Sequence, residues 1–141
     1  MLEIVYTTGA FDLLHIGHLH RLRGARALGD SLIVGIMSDK FIIRSKEKNP
    51  VACEKDRAEL VNALSCVDAV FIVDDHATDF SLIEKHGITI RVVGPEYGWA
   101  EGHRQSLIEM ERHGIKIVVT DRMPGISTTE IVERIRGGCN G

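Results

Sequence analysis

The chain reads as a doubly wound α/β domain: a mostly parallel, five-stranded sheet with helices on both faces. Two features point there. Strand-like and helix-like segments alternate about five times along 141 residues. The strand-like segments are also continuously apolar instead of alternating with polar residues, as strands are when helices cover both faces of the sheet. The length suits one domain, which at this size buries roughly two-thirds of its unfolded surface without a disulfide framework.

Leu2–Thr8 is short, β-branched and apolar, ends at Gly9, and is predicted as the first strand. Ile16–Leu28 carries Leu19, Leu22, Ala25 and Leu28 at three-residue spacing before Gly29. That pattern predicts an amphipathic helix with Arg21, Arg23 and Arg26 turned mostly outward. Ser31–Met37 is a second buried strand, and the polar, basic stretch Ser38–Asn49 reads as a loop. A helix follows over Glu54–Leu64, a strand over Ala69–Val73, a helix near Thr78–His86 and a strand over Thr89–Val93. His103–His113 is helical, Ile115–Thr120 the fifth strand and Thr128–Arg136 the last helix. One domain over residues 1–136 and a frayed tail over 137–141 are expected. There is no internal repeat and no low-complexity linker.

Composition narrows the function. The chain is 44% apolar and 26% charged, with 17 Lys and Arg against 20 Asp and Glu, hence a net charge of −3. A general nucleic-acid binder would carry a basic excess. Four Phe, two Tyr and one Trp are too few for base-stacking platforms. A small phosphorylated ligand met by local cations stays compatible. Cys53, Cys66 and Cys139 form no CxxC pair and suit free thiols in a reducing compartment. Asp12 and His15 interrupt the first apolar run, so no signal peptide is expected, and nothing approaches the ~20 apolar residues of a membrane span. A cytoplasmic protein is the expectation.

Ligands in such folds sit beyond the carboxyl ends of the strands. After the first strand comes Gly9-Ala10-Phe11-Asp12-Leu13-Leu14-His15-Ile16-Gly17-His18. Neither GxGxxG nor the GxxxxGK[ST] loop is present. Instead two histidines three residues apart flank a glycine at a helix start, on one helix face. Gly17 lets a ligand approach the backbone, and the helix start attracts anions. Two imidazoles there can donate to phosphate oxygens; a pair of incidental histidines is the alternative. After the fifth strand comes Arg122-Met123-Pro124-Gly125-Ile126-Ser127-Thr128-Thr129-Glu130-Ile131. Ser127 with Glu130 fits a capping box, so a well-capped helix is one reading. A second anion-binding helix start, with three hydroxyls and Arg122, is the other.

Together, His-Ile-Gly-His near the N-terminus and Arg-x-x-Gly-Ile-Ser-Thr-Thr near the C-terminus resemble the HxGH nucleotidyltransferases. The resemblance is strongest to the small cytidylyltransferases of the glycerol-3-phosphate type, and it spans nearly the whole chain. It implies a Rossmann-like fold and transfer of a nucleotidyl group from a triphosphate to a phosphate oxygen, with pyrophosphate leaving. No protein nucleophile and no general base are needed, so catalysis is positioning and charge stabilisation. The resemblance implies catalytic roles for His15, His18, Lys46 and Arg122. It places Gly9, Ala10, Phe11, Gly17, Gly94, Glu96, Tyr97, Arg122, Ser127, Thr128 and Thr129 at the nucleotide, and Asp12, Asp39 and Arg57 at the acceptor. The run Arg44-Ser45-Lys46-Glu47-Lys48 leaves the loop lysine open by one or two residues. The glycine-flanked segment Gly98–Gly102, with Trp99 inside it and His103 next to it, reads as a mobile lid. Mg²⁺ is expected, held mainly by the triphosphate with no dedicated protein site. A homodimer is expected too, with regulation through its contacts.

Two departures from the family pattern bear on substrate. Ala10 stands where Thr or Cys is usual, and Gly94–Arg104 differs from the glycerol-phosphate enzymes. The Arg-x-x-Gly-Ile-Ser-Thr-Thr run leans to CTP and a small phosphorylated polyol or sugar. Related heptose-phosphate enzymes use ATP in the same fold, which makes adenylyl transfer to a sugar phosphate the alternative. A nucleotide-binding regulatory module without turnover is a third reading.

Overall fold

A computed structural model describes residues 2–94, 101–120 and 128–137, with side chains throughout except at 77–79, 101–103 and 128. The elements run β1 (Ile4–Gly9), α1 (Ile16–Arg26), β2 (Ser31–Met37), α2 (Asp39–Lys46), α3 (Glu54–Asn62), β3 (Ala69–Val73), α4 (His76–Lys85), β4 (Ile90–Val93), α5 (Glu101–Arg112), β5 (Lys116–Val119) and α6 (Thr128–Gly137). The five strands form one sheet in the order β3-β2-β1-β4-β5, and every pairing is parallel. The chain builds outward from β1 through β2 to β3, then returns to the other side of β1 for β4 and β5. The order therefore reverses between β1 and β4, where Val5 pairs with Leu32 on one side and Ile90 on the other.

Alternate residues of each strand feed two cores. Val5, Leu32, Val34, Ile36, Ile90 and Val92 face Leu22 and Ala25 of α1 and Val61 of α3. Tyr6 and Ile33 face Ile83 of α4 and Met110 of α5. This two-sided burial is why β2, Ser-Leu-Ile-Val-Gly-Ile-Met, has no polar alternation. Gly35 in β2 has a packing reason: a Cβ there would run into the Tyr6 hydroxyl and come within 2.7 Å of Thr8 Cγ2. Gly35→Ala is expected to destabilise the fold by about 1–3 kcal/mol through overpacking. Urea titration checks this, and an unchanged midpoint would contradict it.

The stretch 38–49 departs from the loop expected there, because residues 39–46 are helical. Ser38 is the N-cap, its side chain accepting from the Phe41 N–H at 3.2 Å, and Asp39 opens the first turn. Phe41 and Ile42 are buried and Glu47 closes the helix in the left-handed region at φ 53°. Eight residues with one short apolar cluster are too few for a helical period to stand out; packing of Phe41 and Ile42 decides it. Elsewhere the expected elements are present with ends shifted by at most two residues. No helix among the described residues is long and apolar enough to cross a membrane.

Candidate active site

The reversal of strand order between β1 and β4 opens the crevice that this class of sheet uses for ligands. β1 ends at Gly9, and the loop that follows carries two left-handed residues that are not glycine, Phe11 and Leu13, both at φ 51°. Such conformations raise the local free energy and persist where surrounding contacts impose them. Here the Phe11 ring is buried and folds back over the strand end. A Cβ on Gly9 would lie 2.9 Å from Phe11 Cε2. Gly9 therefore makes room for Phe11, and it also lines the cleft described below. The ring also meets His18 edge-on, with centroids 5.4 Å apart.

His15 and His18 form a capping box. His15 Nδ1 accepts the Gly17 N–H at 3.1 Å, and His18 Nδ1 accepts the His15 N–H at 3.2 Å. The rings stack with centroids 3.8 Å apart. Because each Nδ1 is an acceptor, each neutral ring carries its proton on Nε2, so each offers an N–H donor away from the backbone. Burial pushes the His18 pKa down to about 4, helped by the charges of His15, Arg21 and Lys46 and opposed by Asp12. Burial lowers that of His15 as well. His18 is thus a neutral donor at pH 7, and the positive charge around it comes from other side chains.

Those side chains line one cleft of about 150 Å³, formed by the 9–12 loop, His18, Arg21, Lys46, Lys48 and neighbouring apolar atoms. Arg21 overturns the outward orientation expected for it. It follows His18 by three residues on the same helix face, and its Nη2 donates to Thr7 Oγ1 and Thr8 O, both at 3.3 Å. The spacing His15, His18, Arg21 was the available signal. Lys46 closes α2 and Lys48 lies just beyond it, both exposed at the cleft. On the far side of the sheet, buried Arg91 donates to Thr8 Oγ1 and to Val92 O, tying β1 to β4 at the crevice. Nothing in an apolar strand pattern announced it.

Asp12, Asp39 and Arg57 are brought together, but as a scaffold. Arg57 is 1% exposed. Its Nε donates to Ala52 O, its Nη1 to Ala10 O and Met37 O, and its Nη2 to Asp39 Oδ1, at 2.7–2.9 Å. Four of its five N–H donors are therefore spent inside the protein. That geometry does not fit the acceptor-binding role expected for it, because a buried guanidinium engaged with carbonyls presents little to a ligand. Asp12 accepts the Val51 N–H at 2.7 Å and the Ala52 N–H at 2.9 Å. Among the described residues no group of three His, Cys, Asp or Glu is arranged to hold a metal ion.

Gly17 lies in the first turn of α1, and Gly94 follows β4 directly. Thr129, in the first turn of α6, is exposed. Glu96, Tyr97, Trp99, Arg122 and Ser127 lie outside the described residues, as do the side chains of His103 and Thr128.

A sequence profile of the cytidylyltransferase-like family matches residues 6–134. Among curated proteins, the bifunctional protein HldE of Syntrophotalea carbinolica is 40% identical over 94% of this chain and 26% of that protein. The bifunctional protein HldE of Helicobacter pylori is 40% identical over 98% of this chain and 28% of that protein. The chain thus spans about a quarter of the length of these relatives. Among solved structures, the lipopolysaccharide core biosynthesis protein of Thermoplasma volcanium superposes with a TM-score of 0.70 at 26% identity. It covers 89% of this chain and 100% of that one.

Proposed function

The chain belongs to the cytidylyltransferase-like family, and from that membership we propose that it transfers an adenylyl group from MgATP to a small sugar phosphate. An acceptor phosphate oxygen attacks the α-phosphorus, the bond from the α-phosphorus to the bridging oxygen breaks, and pyrophosphate leaves. The observation that carries nucleotidyl transfer is the His18 ring, fixed through Nδ1 and stacked on His15 at the start of α1, in a cleft shared with Arg21, Lys46 and Lys48. Donors held by the backbone need no reorganisation as charge builds on the α-phosphoryl and leaving groups. Mg²⁺ arrives with the triphosphate as part of the substrate.

The choice of ATP over CTP leans on the relatives. Those at 37–40% identity carry the HldE name, which we read as the sugar-phosphate adenylyltransferase branch, in place of the glycerol-3-phosphate cytidylyltransferases that the motifs favoured. The motif run from Arg122 to Thr129 supports the second reading, cytidylyl transfer to a polyol phosphate.

Acceptor-dependent pyrophosphate release separates these readings. It is measured with MgATP and MgCTP against a panel of sugar phosphates and glycerol 3-phosphate. The expected result is release with ATP and a sugar phosphate, with kcat/KM at least about tenfold above that for CTP, a preference of about 1.4 kcal/mol. Release confined to CTP and glycerol 3-phosphate would replace the adenylyl reading with the cytidylyl one. Tight nucleotide binding with no release would make the protein a binding module. The homodimer stays part of the proposal, and sedimentation in solution tests it.

A further inference from the structure

The seven residues 47–53, between α2 and α3, form a strap at the edge of the cleft. Glu47, Lys48, Asn49, Val51 and Cys53 are exposed, so little apolar burial holds the strap in place. Polar contacts do so instead, and they close a ring. The Ala52 N–H donates to Asp12, the Ala52 carbonyl accepts from Arg57, and Arg57 donates in turn to Ala10, two residues before Asp12. A second bond from the Val51 N–H makes the Asp12 attachment bidentate. The N–H and the C=O of Ala52 are thereby both held, the first by Asp12 and the second by Arg57, which also bonds Ala10. Lys48 stands four residues before Ala52 in the chain and Lys46, at the end of α2, six before it.

We propose that Asp12 is a positioning residue: by holding Val51 and Ala52 it sets the strap against the loop after β1, and so fixes where Lys46 and Lys48 meet the phosphates of the nucleotide. This rests on the reading of the cleft as a triphosphate site. A carboxylate suits the task because two successive backbone N–H groups need two acceptor oxygens. An amide offers only one.

Two measurements on the full chain test it. Amide hydrogen exchange of wild type and Asp12→Asn reads the latch directly. Exchange at Val51 and Ala52 is expected to speed up at least about fivefold, the scale of losing one such bond, while β1 and β2 amides stay unchanged. MgATP and MgCTP titrations of wild type, Asp12→Asn, Lys46→Ala/Lys48→Ala and the triple variant form a double-mutant cycle. Asp12→Asn is expected to weaken binding of the preferred triphosphate about tenfold when the lysines are present, and less than about threefold when they are absent. An equal factor in both backgrounds, or unchanged exchange at Val51 and Ala52, overturns the positioning role while the triphosphate reading stands. Failure of the wild type to bind either triphosphate overturns the functional reading and the positioning role with it, whatever the exchange shows.

Discussion

His18→Asn is expected to lower kcat/KM by at least about 100-fold while leaving the fold intact, because the two ring nitrogens do different jobs. Nδ1 accepts the His15 N–H and belongs to the start of α1. With Nδ1 occupied as an acceptor, Nε2 carries the proton of the neutral ring, and the ring lines the cleft. The side-chain oxygen of Asn can take the place of Nδ1 and keep the cap, but nothing then stands where Nε2 stood. Losing one preorganised donor to a developing oxyanion removes about 2.7–4 kcal/mol of transition-state stabilisation. His18→Gln reverses the split. Its longer amide reaches toward the Nε2 position but abandons the cap, for a stability loss of about 1 kcal/mol and a smaller loss of rate. Steady-state kinetics with the preferred triphosphate, run beside thermal melts, read both quantities. An Asn variant within tenfold of wild type would remove His18 from the chemistry. Because burial holds the His18 pKa near 4, the role is that of a neutral donor at pH 7. The cationic field comes from Arg21, Lys46 and Lys48.

Arg57→Met should give the largest stability loss, about 3 kcal/mol, with a melting temperature lower by about 10 °C. The guanidinium side chain is fully buried and bonded to the carbonyls of Ala10, Met37 and Ala52 and to Asp39. Removing it takes the guanidinium partner from three half-buried carbonyl oxygens, each of which carries a desolvation penalty. Asp39 contributes less, since its side chain is 36% exposed and water can replace the lost partner. Met matches the length of the stem, so the loss reads the polar contacts and not a cavity. Urea titration provides the number. A change below about 1 kcal/mol would mean that the three segments hold together without Arg57.

Arg57 and Asp12 also show where reading the chain as a string stops working. The family resemblance puts both at the acceptor; Asp12 lies in the loop after β1, and Arg57 reaches from α3 to that loop and to the end of β2. Their partners were not legible: Ala10 lies 47 residues from Arg57, and Ala52 lies 40 from Asp12. A charge expected to meet an acceptor phosphate instead meets backbone carbonyls, because the 10–12 loop, the end of β2 and the strap converge on it. Arg21 differs, since its place three residues after His18 was in plain view. The outward orientation assigned to it came from counting α1 as an ordinary surface helix, whereas one face of that helix looks into the crevice. α2 was missed for want of length, although Ser38 and Asp39 are ordinary helix-start residues.

By itself the sequence determined the α/β class, the positions of the five strands and five of the six helices, and the two histidines at the start of α1. All of these are written in local terms: runs of apolar residues, spacing along a helix, a glycine between two imidazoles. Only the tertiary structure decided the strand order, the tautomers at the His15–His18 cap, the inward turn of Arg21 and Arg91, and the ring through Asp12, Ala52, Arg57 and Ala10. Most of these depend on which segments come to lie side by side. A buried polar group takes its partner from whatever backbone the fold brings within about 3 Å.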